Sequence, residues 1–210
     1  MINRKDIWII LQGPLDYYKE VIPYYKNLDN VIISTWVSEK EKIENKKHCI
    51  LSYPPIVSGK HNINYQVKST LAGLKYAKKQ GAEYVFKIRA DIAFDDLELL
   101  ISKLKFDNTL YFPAYYNSKE GYLVDYFQFG PIDKMIKLWD IPLKFEIFNK
   151  KYPEYYITKN FLKKLPEEKI RYLIPILIEN GMKYTWFKNL DNFSQILQIK
   201  DFVYDKYLKI

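Results

Sequence analysis

The sequence predicts an α/β domain with a mostly parallel sheet flanked by helices. Three observations predict it. Short apolar runs rich in β-branched residues alternate with helical segments for the first half of the chain. Those strand-like runs are apolar throughout rather than every second residue, as strands covered on both faces are. Each run stops at turn-forming or polar residues, which suits sheet connections by right-handed crossovers.

Residues 7–11, "IWIIL", form the first strand, closed by Gly13-Pro14. "LDYYKEVIPYYKNL" (15–28) reads as a helix with a break or kink at Pro23. Residues 31–33 form the second strand and stop at Ser34-Thr35-Trp36. "SEKEKIENKK" (38–47) reads as a polar helix, with Ser38 and Glu41 at capping-box spacing. Residues 49–51 give a third strand, followed by a Pro- and Gly-punctuated loop to residue 63. Over 64–81, Val67, Leu71 and Leu74 make an apolar stripe, lysines crowd the last turn, and Gly81 ends the helix. Asn62, Gln66, Ser69 and Gly73 make a second stripe of small and amide residues. Residues 84–88 are the next strand, 95–104 a helix capped by Asp95 or Asp96, and 110–112 a strand.

Beyond residue 115 the pattern loosens. "LVDYFQFGPIDKMIKLWD" reads as a strand and then a helix. "PEYYITKNFLKKL" and "PEEKIRYLIPILIENG" read as helices opened by Pro-Glu, and 183–187 as a late strand. The expectation is one domain over 1–210 whose character changes at about residue 115, with a helical C-terminal part.

The chain has 210 residues, 48% of them hydrophobic, enough for a full core. Its net charge of +8 favours anionic partners without choosing among them. The charge and the 20 tyrosines also suit an AT-rich coding sequence, which lowers their weight as functional signals. Cys49 is the only cysteine, so no intrachain disulfide forms, and two histidines with it make a His/Cys zinc site a poor expectation. The N-terminal apolar run is too short for a signal peptide and no run reaches the length of a membrane span. A cytoplasmic protein is expected, with basic tracts that would let it rest on the inner face of a membrane.

Ligands of open parallel sheets bind outside the carboxyl ends of the strands. Those ends carry "QGP", Ser34-Thr35-Trp36, "SYPP" and "RAD". Asp91 is the centre of the last. A carboxylate there suits a hard divalent cation, Mn²⁺ or Mg²⁺, held against a diphosphate. Arg89 alternates onto the same face and would pair with Asp91 or contact phosphate. The plain alternative is a capped turn with an internal ion pair. Asp95 and Asp96 need no more than N-capping.

"WIILQGPL", "VIISTW", "NYQVKSTLAGLKYAKKQGAEYVFKIRADI" and "VDYFQFG", in this order, resemble the WavE-type lipopolysaccharide-synthesis family over roughly residues 6–165. The resemblance implies a GT-A-like (Rossmann-like) nucleotide-sugar fold and a glycosyltransferase of surface polysaccharide, lipopolysaccharide or capsule. It implies a nucleotide-diphosphate sugar donor and a glycan or lipid-linked acceptor. Asn64, Gln66 and Ser69 match the family's N-x-Q-x-x-S helix start, which would lie near the nucleotide. The backbone at Gln12 and Gly13 would lie near base or ribose. The chain departs from the usual Asp-x-Asp metal motif, because Arg89-Ala90-Asp91 stands in its place. One carboxylate is replaced by a cation, so Arg89 would offset diphosphate charge as a metal does.

A transfer with inversion needs a general base at the acceptor hydroxyl. Two carboxyls compete. Asp125, in "LVDYFQFG", is expected after a strand and before a Gly-Pro turn, among aromatics; Glu154, in "YPEYY", resembles the family's Glu-containing helix start. Two other classes compete with the enzyme reading. A non-catalytic sugar-nucleotide-binding or scaffold protein would keep the fold without the chemistry. A nucleic-acid-binding module suits the charge, but no motif of that class is present and no nucleic-acid partner is expected.

Overall fold

The computed structural model describes residues 6–43, 47–116, 122–143 and 152–187. Seven strands form the main sheet: β1 (Ile7–Gln12), β2 (Val31–Trp36), β3 (Cys49–Ser52), β4 (Tyr84–Arg89), β6 (Leu110–Phe112), β9 (Phe127–Pro131) and β10 (Ile170–Tyr172). Their spatial order is β10-β6-β9-β4-β1-β2-β3. β1 lies between β2 and β4, parallel to both, and β3 adds parallel to β2. β9 runs antiparallel between β4 and β6, and β10 is parallel to β6. Two small ladders complete the set: β5 (Ile92–Phe94) with β11 (Tyr184–Trp186), and β7 (Tyr115–Tyr116) with β8 (Tyr122–Leu123). The sheet is mostly parallel, as expected.

The helices cover both faces, which explains the unbroken apolar strands. In β1, Trp8 and Ile10 enter one core layer while Ile7, Ile9 and Leu11 enter the other. The first layer receives α2 (Ile63–Lys79), α4 (Ile132–Trp139) and α5 (Pro153–Lys164); α6 (Leu173–Glu179) and α3 (Leu97–Ser102) pack on the second. Strand alternation then lines up one face: Ile10 and Gln12 of β1, Ser34 and Trp36 of β2, and Val85, Lys87 and Arg89 of β4. Register puts Gln12 opposite both Ser34 and Arg89.

α2 carries the stripe read from the sequence. Val67 and Leu74 are buried, Leu71 packs at the margin of the same core, and Gly81 follows the last residues of the helix. The Ser69 and Gly73 end of the small-residue stripe is the surface on which α2 rests. A Cβ on Gly73 would stand 2.7 Å from Ile10 Cγ2 and 3.1 Å from Ser34 Cβ. Gly73→Ala is therefore expected to lower stability by about 1–3 kcal/mol, through forced separation of α2 from β1 and β2. Urea denaturation measures it; an unchanged midpoint would mean the helix can shift without cost.

Several expected elements are corrected. Residues 15–28 are not one helix: α1 (Tyr18–Val21) passes into a 3-10 turn over Ile22–Tyr24, where Pro23 has no N–H to extend the ladder. The polar helix expected over 38–47 is a 3-10 segment, Val37–Lys42, with no side-chain cap; residues 44–46 lie outside the described residues. Glu39, rather than Glu41, is the acid that matters there, accepting from the Leu15 N–H at 3.4 Å and from Lys42 at 2.7 Å. The helix opened by Pro166-Glu167 is instead a turn, then strand β10, then α6. Ile170 and Tyr172 gain a ladder on the edge of β6, and this tertiary pairing overrides local helix preference. Gly130-Pro131 is the end of β9 rather than a turn. α3 is capped by Asp96, whose carboxylate accepts from Leu99 N at 2.8 Å. Residues 188–210 of the C-terminal half lie outside the described residues. No helix among the described residues is long and apolar enough to cross a membrane.

Candidate active site

A cavity of about 560 Å³ opens at the carboxyl ends of β1, β2 and β4. The sheet supplies Gln12, Trp36 and Arg89 as the last side chains of one face. Gly13, at φ +118, turns the chain away from β1 at the rim, a backbone state open to glycine. The start of α2 supplies Asn62, Tyr65 and Gln66; the first turn of α5 supplies Pro153 and Glu154; Asp125 and Tyr126 precede β9; and Trp186 ends β11.

Of the residues chosen from sequence, Gln12, Gly13, Gln66, Arg89, Asp91, Asp125 and Glu154 meet in this wall. Ser34, Thr35, Asn64 and Ser69 do not. Ser34 lies one step below the rim, where its hydroxyl donates to Ser69 O at 2.7 Å under α2. Thr35 alternates onto the opposite face, beside Ile33. Asn64 donates its amide to Val57 O at 2.8 Å and so anchors the loop before the helix. Ser69 accepts from Gln12 Nε2 at 2.8 Å and donates to Tyr65 O, which makes it the support behind Gln12.

Arg89 and Asp91 form a bidentate pair. Arg89 Nε donates to Oδ1 at 3.0 Å and Nη2 to Oδ2 at 2.7 Å. Trp186 Nε1 donates to the same Oδ2 at 2.9 Å, and the Asp91 carbonyl accepts from Phe187 N. The guanidinium lies 5.0 Å from the Trp186 ring and 5.6 Å from the Tyr126 ring. Burial works against its charge, but the charge and hydrogen bonds of Asp91, with smaller help from Asp125 and Tyr126, together outweigh burial and hold its pKa above the ordinary value. This is a closed ion pair. The donor set at Asp91 does not suit a divalent cation: both oxygens already face N–H donors, and a cation there would stand beside the guanidinium. Among the described residues no group of three or more His, Cys, Asp or Glu side chains gathers where it could hold a metal ion.

The second charged group is different. Asp125 is 1% exposed, and neither its Oδ2 nor Glu154 Oε2 has a hydrogen-bond partner among the described residues, though both atoms are buried. Burial pushes the Glu154 carboxyl up to about 7, and the charge of Asp125 adds to the shift. Beneath them Lys87 is wholly buried. Its Nζ donates to the Asp125 carbonyl at 2.6 Å and lies 4.8 Å from the Trp139 ring. Burial pulls the Lys87 ammonium down to about 8, against the upward pull of Asp125.

Sequence reasoning placed aromatics beside Asp125 but missed Lys87 and the rings that the far side of the wall brings together. Trp36 meets Tyr65 edge to face at 4.8 Å, and His61 stacks on Tyr152 at 4.6 Å. His61 and Asn62 are both held at positive φ, 49° and 62°, and each costs of order 1 kcal/mol. The strain aims this short segment at the cavity. A lysine inside an apolar strand was the one available signal for Lys87.

A mostly parallel α/β sheet with its cavity at the strand carboxyl ends defines a GT-A-like, Rossmann-like fold. Solved structures agree. The chain is similar to a glycosyltransferase involved in the glycosylation of the major capsid of PBCV-1: TM-score 0.52, 11% identity, 90% of this chain and 98% of that one. It is also similar to 4-diphosphocytidyl-2C-methyl-D-erythritol synthase from Anaerococcus prevotii DSM 20548: TM-score 0.51, 14% identity, 81% and 89%. At these identities the likeness is one of fold. No protein-family model matches the chain, and no curated protein matches it.

Proposed function

We propose that this chain is a glycosyltransferase that moves a sugar from a nucleotide-diphosphate sugar to a glycan or lipid-linked acceptor of surface-polysaccharide type. The observation that carries the reading is the cavity itself. It stands at the carboxyl ends of three parallel strands, has room for a nucleotide sugar, and holds two under-partnered carboxyls against an aromatic wall. The fold shared with a glycosyltransferase and the WavE-type motifs support the same reading.

In this reading Gln12, Gly13, Trp36 and Gln66 receive the nucleoside. Arg89, fixed by Asp91 and Trp186, turns the outer edge of its guanidinium to the diphosphate. Asp125 or Glu154 is the general base. It takes the proton of the acceptor hydroxyl as that oxygen bonds to the sugar's anomeric carbon. The bond from that carbon to the diphosphate breaks, and its electron pair leaves with the nucleoside diphosphate. The aromatic rings offer flat apolar surfaces to the sugar faces.

A thermal-shift panel of UDP, GDP, CDP and dTDP and their sugars, with and without Mn²⁺, tests this. One nucleotide is expected to raise the melting temperature in a concentration-dependent way, by mass action on the folded state. The shift should be lost in Trp36→Leu/Gln66→Ala. A shift that needs Mn²⁺ would mean that Asp91 exchanges Arg89 for metal when the donor binds. Binding without sugar transfer or hydrolysis would favour a sugar-nucleotide-binding protein instead, and a flat panel would remove the nucleotide-sugar reading.

A further inference from the structure

Two buried carboxyls line one cavity, and each leaves an oxygen with no hydrogen-bond donor among the described residues. Two unpaired negative charges in such a place are costly, and the usual resolution is that one of them keeps its proton. What holds them there can be traced. The Asp125 segment is tied at two points. Lys87 Nζ donates to the Asp125 carbonyl at 2.6 Å from below. Leu123 N donates to Thr158 Oγ1 at 2.9 Å, and the same hydroxyl donates to the Glu154 carbonyl at 2.7 Å. Thr158 is thus one side chain that joins the strand before Asp125 to the first turn of α5, which carries Glu154.

We propose that Asp125 and Glu154 work as one proton-sharing unit, with Thr158 and Lys87 as its positioning residues. Glu154, the more exposed member, exchanges the proton, and Asp125, almost fully buried over Lys87, is its partner from the strand side. The inference deepens the proposed reaction, because it says which carboxyl meets the acceptor and what keeps it poised. It rests on that reading only for the identity of the acceptor, since the proton sharing exists without any ligand.

The other groups that bear on Glu154 are consistent with this. Arg89 and Lys87 favour its ionised form, while Asp125 opposes it. Tyr126 sits beside both carboxyls; burial first, and then their charges, hold its hydroxyl protonated. Asp16, Asp91, His61, Tyr17, Tyr65 and Tyr152 face the same cavity, and Asp91 is already paired with Arg89.

The test is a titration by carbon-13 NMR of side-chain carboxyl carbons in the full chain, without ligand, with Glu154 assigned by its loss in Glu154→Gln. Glu154 is expected to titrate near neutral pH. Asp125→Asn should move its midpoint down by about one unit or more, since the opposing charge is gone. Lys87→Met should move it up. Thr158→Val should shift the midpoint, and Thr158→Ser, which keeps the hydroxyl, should restore it. Should Lys87→Met not fold, the Thr158 pair carries the test alone. An ordinary glutamate midpoint in the native protein, or one that Asp125→Asn does not move, overturns the proton sharing. A Thr158→Val midpoint equal to the native one overturns the positioning role. None of these outcomes depends on nucleotide binding, so a flat nucleotide panel leaves the proton sharing standing, and a failed titration leaves the nucleotide site standing.

Discussion

Replacing Glu154 by glutamine is expected to stabilise the protein at pH 8 and to leave it nearly unchanged at pH 4. The sign follows from linkage. Glu154 has its pKa raised from 4.5 to about 7 in the folded state. Between those values the native state holds a proton that the unfolded chain has released, so stability falls as pH rises through this window. Above pH 7 the full cost is present. A shift of this size corresponds to about 3 kcal/mol, and the partial exposure of the side chain lowers that to about 2 kcal/mol. For a chain of this length the melting temperature should rise by roughly 4–8 °C at pH 8. Calorimetry on both proteins across pH 4 to 8 measures it. A gain that is equal at all pH values would mean that packing, rather than charge, sets the effect. In functional terms, the native protein gives up stability to keep a titratable carboxyl in its cavity.

The second large effect concerns Arg89 and Asp91. Removing either partner leaves the other charge buried. Arg89→Ala strands the Asp91 carboxylate with only the Trp186 N–H, and Asp91→Ala strands a guanidinium between two rings. Each is expected to cost about 3–5 kcal/mol. The double replacement Arg89→Met/Asp91→Leu should recover much of that loss, because neither charge then remains unpaired. Urea denaturation of the three variants checks the cycle, and additive losses in the double variant would show that the two side chains act separately. The same geometry warns against using Asp91→Ala as a probe of ligand binding, since a lost thermal shift there would mix binding with damage.

The sheet was readable because its signal is local. Residues 7–11, 31–33 and 84–88 are apolar and β-branched, and the Gly-Pro and polar stops that close them are adjacent in sequence. α2 was readable for the same reason, with an apolar stripe of three residues over two turns. The antiparallel insertion of β9 was not, since nothing within "YFQFGP" states which neighbours it will find. The residues of β10 read as helix in sequence because they acquire their strand form only from β6. The candidate site divides in the same way. Arg89 and Asp91 stood out because charge at the end of an apolar strand is visible in one line of sequence. Ser34 stands out as a polar strand end and Ser69 as part of the N-x-Q-x-x-S resemblance, and together they are the packing contact between α2 and the sheet. Trp186 was beyond reach, because its partner Asp91 is 95 residues away. Thr158 carries no signal at all until Leu123 is placed beside it.

The ladder between β5 and β11 has a consequence for how the protein is made. Phe94 faces Tyr184 and Ile92 faces Trp186 across it, so the wall that secures Asp91 comes from nearly the last described residues. A ribosome that has delivered the first hundred residues has delivered most of the strands bordering the cavity, but not the indole that locks its ion pair. Domains fold during synthesis from the N-terminus, and contacts of such long sequence separation form late. The cavity is therefore a record of completed folding: β1, β2 and β4 can associate early, while a competent pocket exists only once the chain has come back to close it.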